Sequence, residues 1–252
     1  MDPIERLGAS FVDELHRLAQ ALEHAGVAYA VVGATALLLH GVDLRRTTRD
    51  LDLAVAVTGD TDAVDRVLKL AGLVNTSIPH RFRTAEGEEV DVLMIDPAAA
   101  HPSEIRLADG DRFDGAALPE AVAQASVLMV AGSGIRVAPL SLLIANKLYA
   151  AGGVSGRPHD LSDACAAMES YEVSGTRRFE VDYGKHPELA FETAGAFLAG
   201  QDAAQLLVAD IETAMAAAIE SLMRDARLTD RFAEGPPTRK LVAAYRTGLG
   251  IV

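Results

Sequence analysis

Asp50, Asp52 and Asp91 are the residues best suited to do chemistry. The first two lie in RRTTRDLDLAVAV, residues 45–57. Leu51, Leu53, Val55 and Val57 alternate there as the buried face of a β-strand should. The other face then carries Asp50, Asp52, Ala54 and Ala56. Same-side neighbours on a strand sit roughly 6.5 Å apart at the backbone, so the two carboxylates can converge on one point. Converging anions repel unless something positive lies between them. Asp91 has the same setting in EVDVLMI. It shares a strand face with Leu93 and Ile95, while Val90, Val92 and Met94 lie on the other. A lone Asp in such a strand is costly to bury without a partner. If the two strands are neighbours, three carboxylates meet on one sheet face. No basic residue is interleaved in the strands themselves, and oxygen-only ligation suits Mg²⁺ or Mn²⁺ better than zinc. A wet face carrying solvated aspartates is the competing reading.

Four further features stand near these acids or on later helices. VVGATALLLHG places Gly33 at a turn from strand into helix. Backbone N–H groups at such a turn, with the positive helix end, suit a phosphate; a tight turn without a ligand needs the same glycine. Arg46 and Thr48 share the parity of Asp50 and Asp52 and point the same way if the strand reaches back that far. Arg45 and Arg49 add positive charge. Lys147 sits in the apolar run LSLLIANKLYA, and Lys69, Lys185 and Lys240 are the only other lysines. A lysine there either serves a site or extends its ammonium to the surface. Asp160 and Asp163 in RPHDLSDA could cap a helix and favour its positive end. His40 and His80 read as surface or core histidines, and Cys165 as core packing.

The elements that must hold these residues can be read from periodicity. Asp2-Pro3 opens a helix with apolar positions from Ile4 to Leu22. VAYAVV is a strand, ATALLLHG a short helix, and Asp60 caps a helix through Leu70. RFRTAEGEEVDVLMI reads as a hairpin of Arg81–Ala85 and Val90–Ile95, and SVLMV with IRVAP as another strand pair. Residues 96–124 read as loop-rich. Past Pro139 the character changes to helix: LSLLIANKLYAA, RPHDLSDACAAMES, then about 187–199, 202–225 and 237–247. The expected class is therefore α+β or α/β, with a mixed sheet flanked by helices in domain 1–138 and a helical domain over 139–252.

Bulk composition bounds the partners. The chain has 252 residues and a formal net charge of −13, a poor global field for a polyanion unless a local basic patch overcomes it. The single cysteine excludes an intrachain disulfide and fits a reducing compartment. The N-terminus lacks a basic start and an apolar core, and the longest apolar stretches contain glycine and fall short of a membrane span. A cytoplasmic protein without a membrane partner is expected.

The order Gly at a strand end, Arg46-x-Thr48-x-Asp50-x-Asp52, then Asp91 on a later strand, resembles the DNA polymerase β-type nucleotidyltransferase superfamily. IRVAPLSLLIANKLYA followed by RPHDLSDA resembles its AbiEii-type branch, the nucleotidyltransferase toxins of abortive-infection systems. In that branch an apolar helix carries a lysine, here Lys147, and an Arg-x-Lys-Asp-x-x-Asp segment follows, here Arg157, Asp160 and Asp163. The resemblance spans roughly residues 20–170 and leaves 175–252 unread. Ala34 stands where the family has Gly or Ser, with Thr35 as the substitute hydroxyl, and His159 stands where it often has Lys. The resemblance implies transfer of a nucleoside monophosphate from an NTP, with Asp50, Asp52 and Asp91 holding Mg²⁺ or Mn²⁺ and Asp91 as candidate base. Gly33, Ala34, Thr35, Arg46, Thr48, Lys147 and Asp160 would bind the nucleotide. The acceptor is open among small molecule, protein and RNA, and an antitoxin partner is implied. Two alternatives stay open, a small-molecule transferase of the aminoglycoside type and a catalytically silent nucleotide binder.

Overall fold

The computed structural model describes residues 7–44, 46, 48, 50–59, 61–97, 104–106, 112–153, 158–224 and 237–251. Asp2-Pro3, Arg45, Arg49, Asp60 and Arg157 lie outside the described residues. The chain divides into two compact units, Met1–Pro139 and Leu140–Val252.

The first unit is built on a mixed seven-stranded sheet. Its strands are β1 (Tyr29–Val32), β2 (Leu51–Ala56), β3 (Val74–Asn75), β4 (Arg81–Arg83), β5 (Glu89–Ile95), β8 (Ser126–Val130) and β9 (Ser133–Val137), in spatial order β3-β4-β5-β2-β1-β9-β8. A separate two-stranded sheet joins β6 (Glu104–Arg106) to β7 (Arg112–Asp114), where the sequence read only as loops. Among the described residues, four helices accompany the strands: α1 (Ala9–His24), α2 (Gly33–Leu39), α3 (Thr61–Leu70) and α4 (Leu118–Ala123). Leu15, Leu18 and Leu22, spaced at helical intervals on α1, are fully buried.

The alternation read in β2 survives in three dimensions. Leu51, Leu53 and Val55 are buried, and so is Ala54 on the second face, whereas Asp52 is half-buried. The strand begins at Leu51. Arg46, which is exposed at a bend, and Thr48 therefore precede the strand rather than extend its face. Among the described residues the β2 ladders start at Leu51, so the strand does not reach back to Arg46 and Thr48, the condition on which their shared parity rested.

Register is set by pairing on both sides of β2. β1 and β2 are antiparallel with Val32 opposite Asp52, and β2 and β5 are parallel with Asp52 opposite Asp91. β4 and β5 are antiparallel with Arg81 opposite Asp91. The turn between them explains that register. Thr84 accepts a hydrogen bond on its hydroxyl from the Glu88 N–H at 3.1 Å, and its own N–H donates to the Glu88 carbonyl at 3.0 Å. The result is one cross-strand row, Val32–Asp52–Asp91–Arg81, along a line with strands roughly 4.8 Å apart.

The second unit is helical among its described residues: α5 (Leu140–Gly152), α6 (Pro158–Ser170), α7 (Arg177–Glu180), α8 (Ala194–Ala204), α9 (Ala209–Arg224) and α10 (Thr238–Gly248). Helix α8 starts later than the expected 187. The Thr193 hydroxyl and the Ala190 backbone close a local turn, donating at 2.9 Å to its carbonyl and accepting at 3.1 Å from its N–H. Helices α8 and α10 meet at two glycines. A Cβ on Gly200 would lie 2.2 Å from the Tyr245 carbonyl oxygen, and one on Gly248 would lie 2.0 Å from that of Phe197.

Candidate active site

The carboxylates of the first unit hang on the cross-strand row. Residues directly opposite each other in neighbouring strands point to the same face, so Asp52, Asp91 and Arg81 share one. Asp50 is exposed and lies one residue before β2. Its backbone is anchored from α2: the Thr35 hydroxyl donates to the Asp50 carbonyl at 2.9 Å. Thr35 is fully buried. Its hydroxyl therefore holds the aspartate's main chain in place and is not turned outward to replace the hydroxyl missing at Ala34, which is itself buried.

Gly33 closes the other side of Asp52. Its φ of +65° is a left-handed conformation, and a Cβ there would stand 1.9 Å from Asp52 Oδ2 and 2.6 Å from Cγ. Both conditions demand glycine. The sequence placed a glycine at this strand-to-helix turn; the packing adds that the space where its side chain would be is taken by the Asp52 carboxylate.

Asp91 has a partner that the sequence reading missed. Arg81 donates from Nε to Asp91 Oδ1 and from Nη2 to Asp91 Oδ2, both at 2.7 Å. Its Nη1 reaches Glu89 Oε2 at 2.9 Å, and Arg83 reaches Glu89 Oε1 at 3.2 Å. The hydrogen bonds to Asp91 hold the Arg81 guanidinium above its ordinary pKa against the opposing effect of burial, and Asp91, Glu89 and Asp50 add electrostatic pull. No basic residue lies in β2 or β5 themselves, as the sequence read; the cation that pairs with Asp91 comes from β4, one strand beyond the two that were considered. Among the described residues, no three His, Cys, Asp or Glu side chains are gathered closely enough to hold a metal ion.

In the second unit Lys147 on α5 does not reach for solvent. Its ammonium lies 2.6 Å from Asp160 Oδ1 and 3.0 Å from Asp163 Oδ2, and its side chain is 12% exposed. Asp160 stands in the first turn of α6, and Asp163 follows on its next turn. Burial pushes the Lys147 pKa down, but the two aspartates outweigh it and leave it raised. The ammonium is therefore already matched by two carboxylates. His159 is exposed and Cys165 is buried, its thiol pushed up to about 12 mainly by burial.

Gly33 at a strand end, Asp50 and Asp52 at the start of the next strand, and Asp91 in register on a third fall in one order along residues matched as a family. The description "Nucleotidyl transferase AbiEii toxin, Type IV TA system" matches residues 17–242. The chain belongs to the AbiEii nucleotidyltransferase toxin family. The AbiEii match takes in both units and, through residue 242, most of the 175–252 stretch in which no motif was legible. No curated protein matches the chain. Among solved structures, it is similar to an antigenic nucleotidyltransferase-like protein from Paracoccidioides brasiliensis, at 21% identity and a TM-score of 0.43, covering 63% of this chain and 77% of that one. It is also similar to the antibiotic-resistance factor ANT(2'')-Ia in solution, at 14% identity and a TM-score of 0.42, covering 71% and 91%. A crystal structure of ANT(2'')-Ia with adenylyl-2''-tobramycin gives 14% identity and a TM-score of 0.42, covering 74% and 97%. Among the described residues of this AbiEii-family chain, no helix is long and apolar enough to cross a membrane.

Proposed function

We propose that this chain transfers a nucleoside monophosphate from an NTP to an acceptor hydroxyl, releasing pyrophosphate, and that it acts as the toxin of a toxin–antitoxin pair. The observation that carries the reading is the in-register pair Asp52–Asp91 on parallel strands, with Asp50 immediately before it and Gly33 packed on Asp52. The donors offered are carboxylate oxygens, which fit Mg²⁺ or Mn²⁺. When bound, such cations would offset charge on the triphosphate and lower the pKa of the attacking hydroxyl.

The chain's own residues supply the rest by positioning and electrostatics. Asp50, Asp52 and Asp91 would hold the cations. Asp91 receives the acceptor proton or orients the hydroxyl as it attacks the α-phosphorus; the bond to the bridging oxygen breaks and pyrophosphate leaves. Gly33, Ala34 and Thr35 present their backbone to the β- and γ-phosphates. Arg46 and Thr48 lie on the segment leading to Asp50 and contact the nucleotide. The net charge of −13 favours a second reading for the acceptor, a small cationic molecule in place of a nucleic acid.

The test is incubation with each α-labelled NTP, Mg²⁺ and cell extract. Label on RNA or protein supports the toxin reading, and label on a small cationic molecule supports the second. An absence of both label and NTP-dependent stabilisation would leave no transferase reading standing.

A further inference from the structure

Asp91 sits among the residues proposed to hold cations, yet each of its oxygens already accepts a hydrogen bond from a cation. Arg81 spans them with two parallel hydrogen bonds at 2.7 Å. A bidentate guanidinium–carboxylate pair is among the stronger polar contacts available to side chains. It is also sheltered: the Arg81 side chain is 28% exposed and that of Asp91 15%. A divalent cation cannot share that carboxylate cheaply. Arg81 neutralises the charge that would draw the cation, and its own charge repels one nearby.

The same arginine has a second place to go. Its Nη1 already touches Glu89 Oε2 at 2.9 Å, and the Glu89 side chain is 33% exposed. Arg81 can turn from Asp91 toward solvent without losing every partner. A triphosphate, with about four negative charges, would offer it a stronger one.

We propose that Arg81 is a latch on Asp91: it withholds the third carboxylate from divalent cations until a nucleotide draws the guanidinium away. Cation and nucleotide then bind cooperatively, because each favours the state in which the fork is open. In the absence of nucleotide, the chain holds cations weakly. This rests on the reading that Asp91 is a cation ligand. Arg81 is a positioning residue that acts through Asp91.

The test is Mn²⁺ binding to the full chain without nucleotide, read from the paramagnetic resonance signal of free Mn²⁺. Arg81→Gln is expected to bind Mn²⁺ ~10-fold or more tightly than the unaltered chain, the scale of one charge-assisted contact. Adding Asp91→Asn to Arg81→Gln should remove that gain. An NTP should tighten Mn²⁺ binding strongly in the unaltered chain and much less in Arg81→Gln. Arg81→Lys keeps the charge but cannot span both oxygens, so its affinity should fall between the two; it decides the matter if Arg81→Gln does not fold. Mn²⁺ affinity unchanged by either substitution, in a chain whose binding is lost on Asp52→Asn, would overturn the latch alone. Binding indifferent to both Asp52→Asn and Asp91→Asn would overturn the cation-site reading and the latch with it.

Discussion

Gly33 leaves no room for a side chain beside Asp52: a Cβ at that position would lie 1.9 Å from the aspartate's Oδ2. Gly33→Ala must therefore displace the carboxylate and also hold an L-residue at a φ of +65°. The backbone strain alone costs about 1–3 kcal/mol. Urea unfolding should show at least that loss. Stabilisation by NTP with Mg²⁺ should vanish, because the displaced carboxylate is one of those proposed to hold the cation. A variant of normal stability that still responds to NTP would show that the turn does not position Asp52.

Asp50 is exposed, yet its main chain is tied to buried Thr35. Asp50→Asn should leave the stability of the apo protein nearly unchanged, since the carboxylate is exposed and its pull on Arg81 is screened by solvent. It should abolish the rise in melting temperature given by NTP and Mg²⁺, a mass-action effect of native-state binding. Thr35→Val should weaken that rise less and lower apo stability by about 1 kcal/mol for the lost hydrogen bond. An Asp50→Asn protein with a full thermal response would place the nucleotide elsewhere.

Lys147 balances two carboxylates, of which Asp163 is 3% exposed. Lys147→Ala removes the ammonium that the two carboxylates share and is expected to cost about 3–5 kcal/mol. Combining Lys147→Met with Asp160→Asn and Asp163→Asn should recover much of it. Because the folded pKa of Lys147 is raised, its contribution is fully present below the unfolded value of about 10.4 and is lost as pH rises through the folded value. Stability of the unaltered chain should fall in that alkaline window by more than in the triple variant. Denaturant midpoints taken from pH 9 upward would check this.

His40 reports on the opposite end of the scale. Its Nε2 lies 2.8 Å from the Ala138 carbonyl oxygen. Burial lowers its pKa, with the Ala138 contact opposing. A depressed histidine pKa means that the unfolded chain takes up a proton first as pH falls. Its contribution to stability is therefore complete above about pH 6.5 and is lost as pH drops toward the folded value. His40→Gln should flatten the fall in stability between pH 7 and pH 5. An unchanged slope would assign that fall to other groups.

The crossing of α8 and α10 tolerates no added methyl. A Cβ on Gly200 would meet the Tyr245 carbonyl oxygen at 2.2 Å. Gly200→Ala should force the helices apart and cost about 1–3 kcal/mol, the usual range for overpacking. A thermal melt of the variant settles it; an unaltered melting temperature would show that the crossing has slack.

Local patterns were sufficient for much of this protein. The alternation of Leu51, Leu53 and Val55 is imposed by the two-residue period of a strand, and it placed Asp52 on the second face before any partner strand was known. The glycine at the end of β1 was legible for a similar reason, since a strand-to-helix turn with left-handed φ leaves a short list of residues. Lys147 was singled out by type and context, and Asp160 by the resemblance to the AbiEii branch. What sequence could not supply was register. Whether Asp91 faces Asp52, and whether Arg81 faces Asp91, depends on which strands pair and where each ladder begins. The hydrogen bonds of the Thr84–Glu88 turn decide the second, and the parallel β2–β5 pairing, which brings together residues about forty positions apart, decides the first. The same limit hid the second partner of Lys147, because the approach of α5 to α6 is a packing outcome. Residue spacing determined which carboxylates could share a face; the ladders determined that one of them already has an arginine on it.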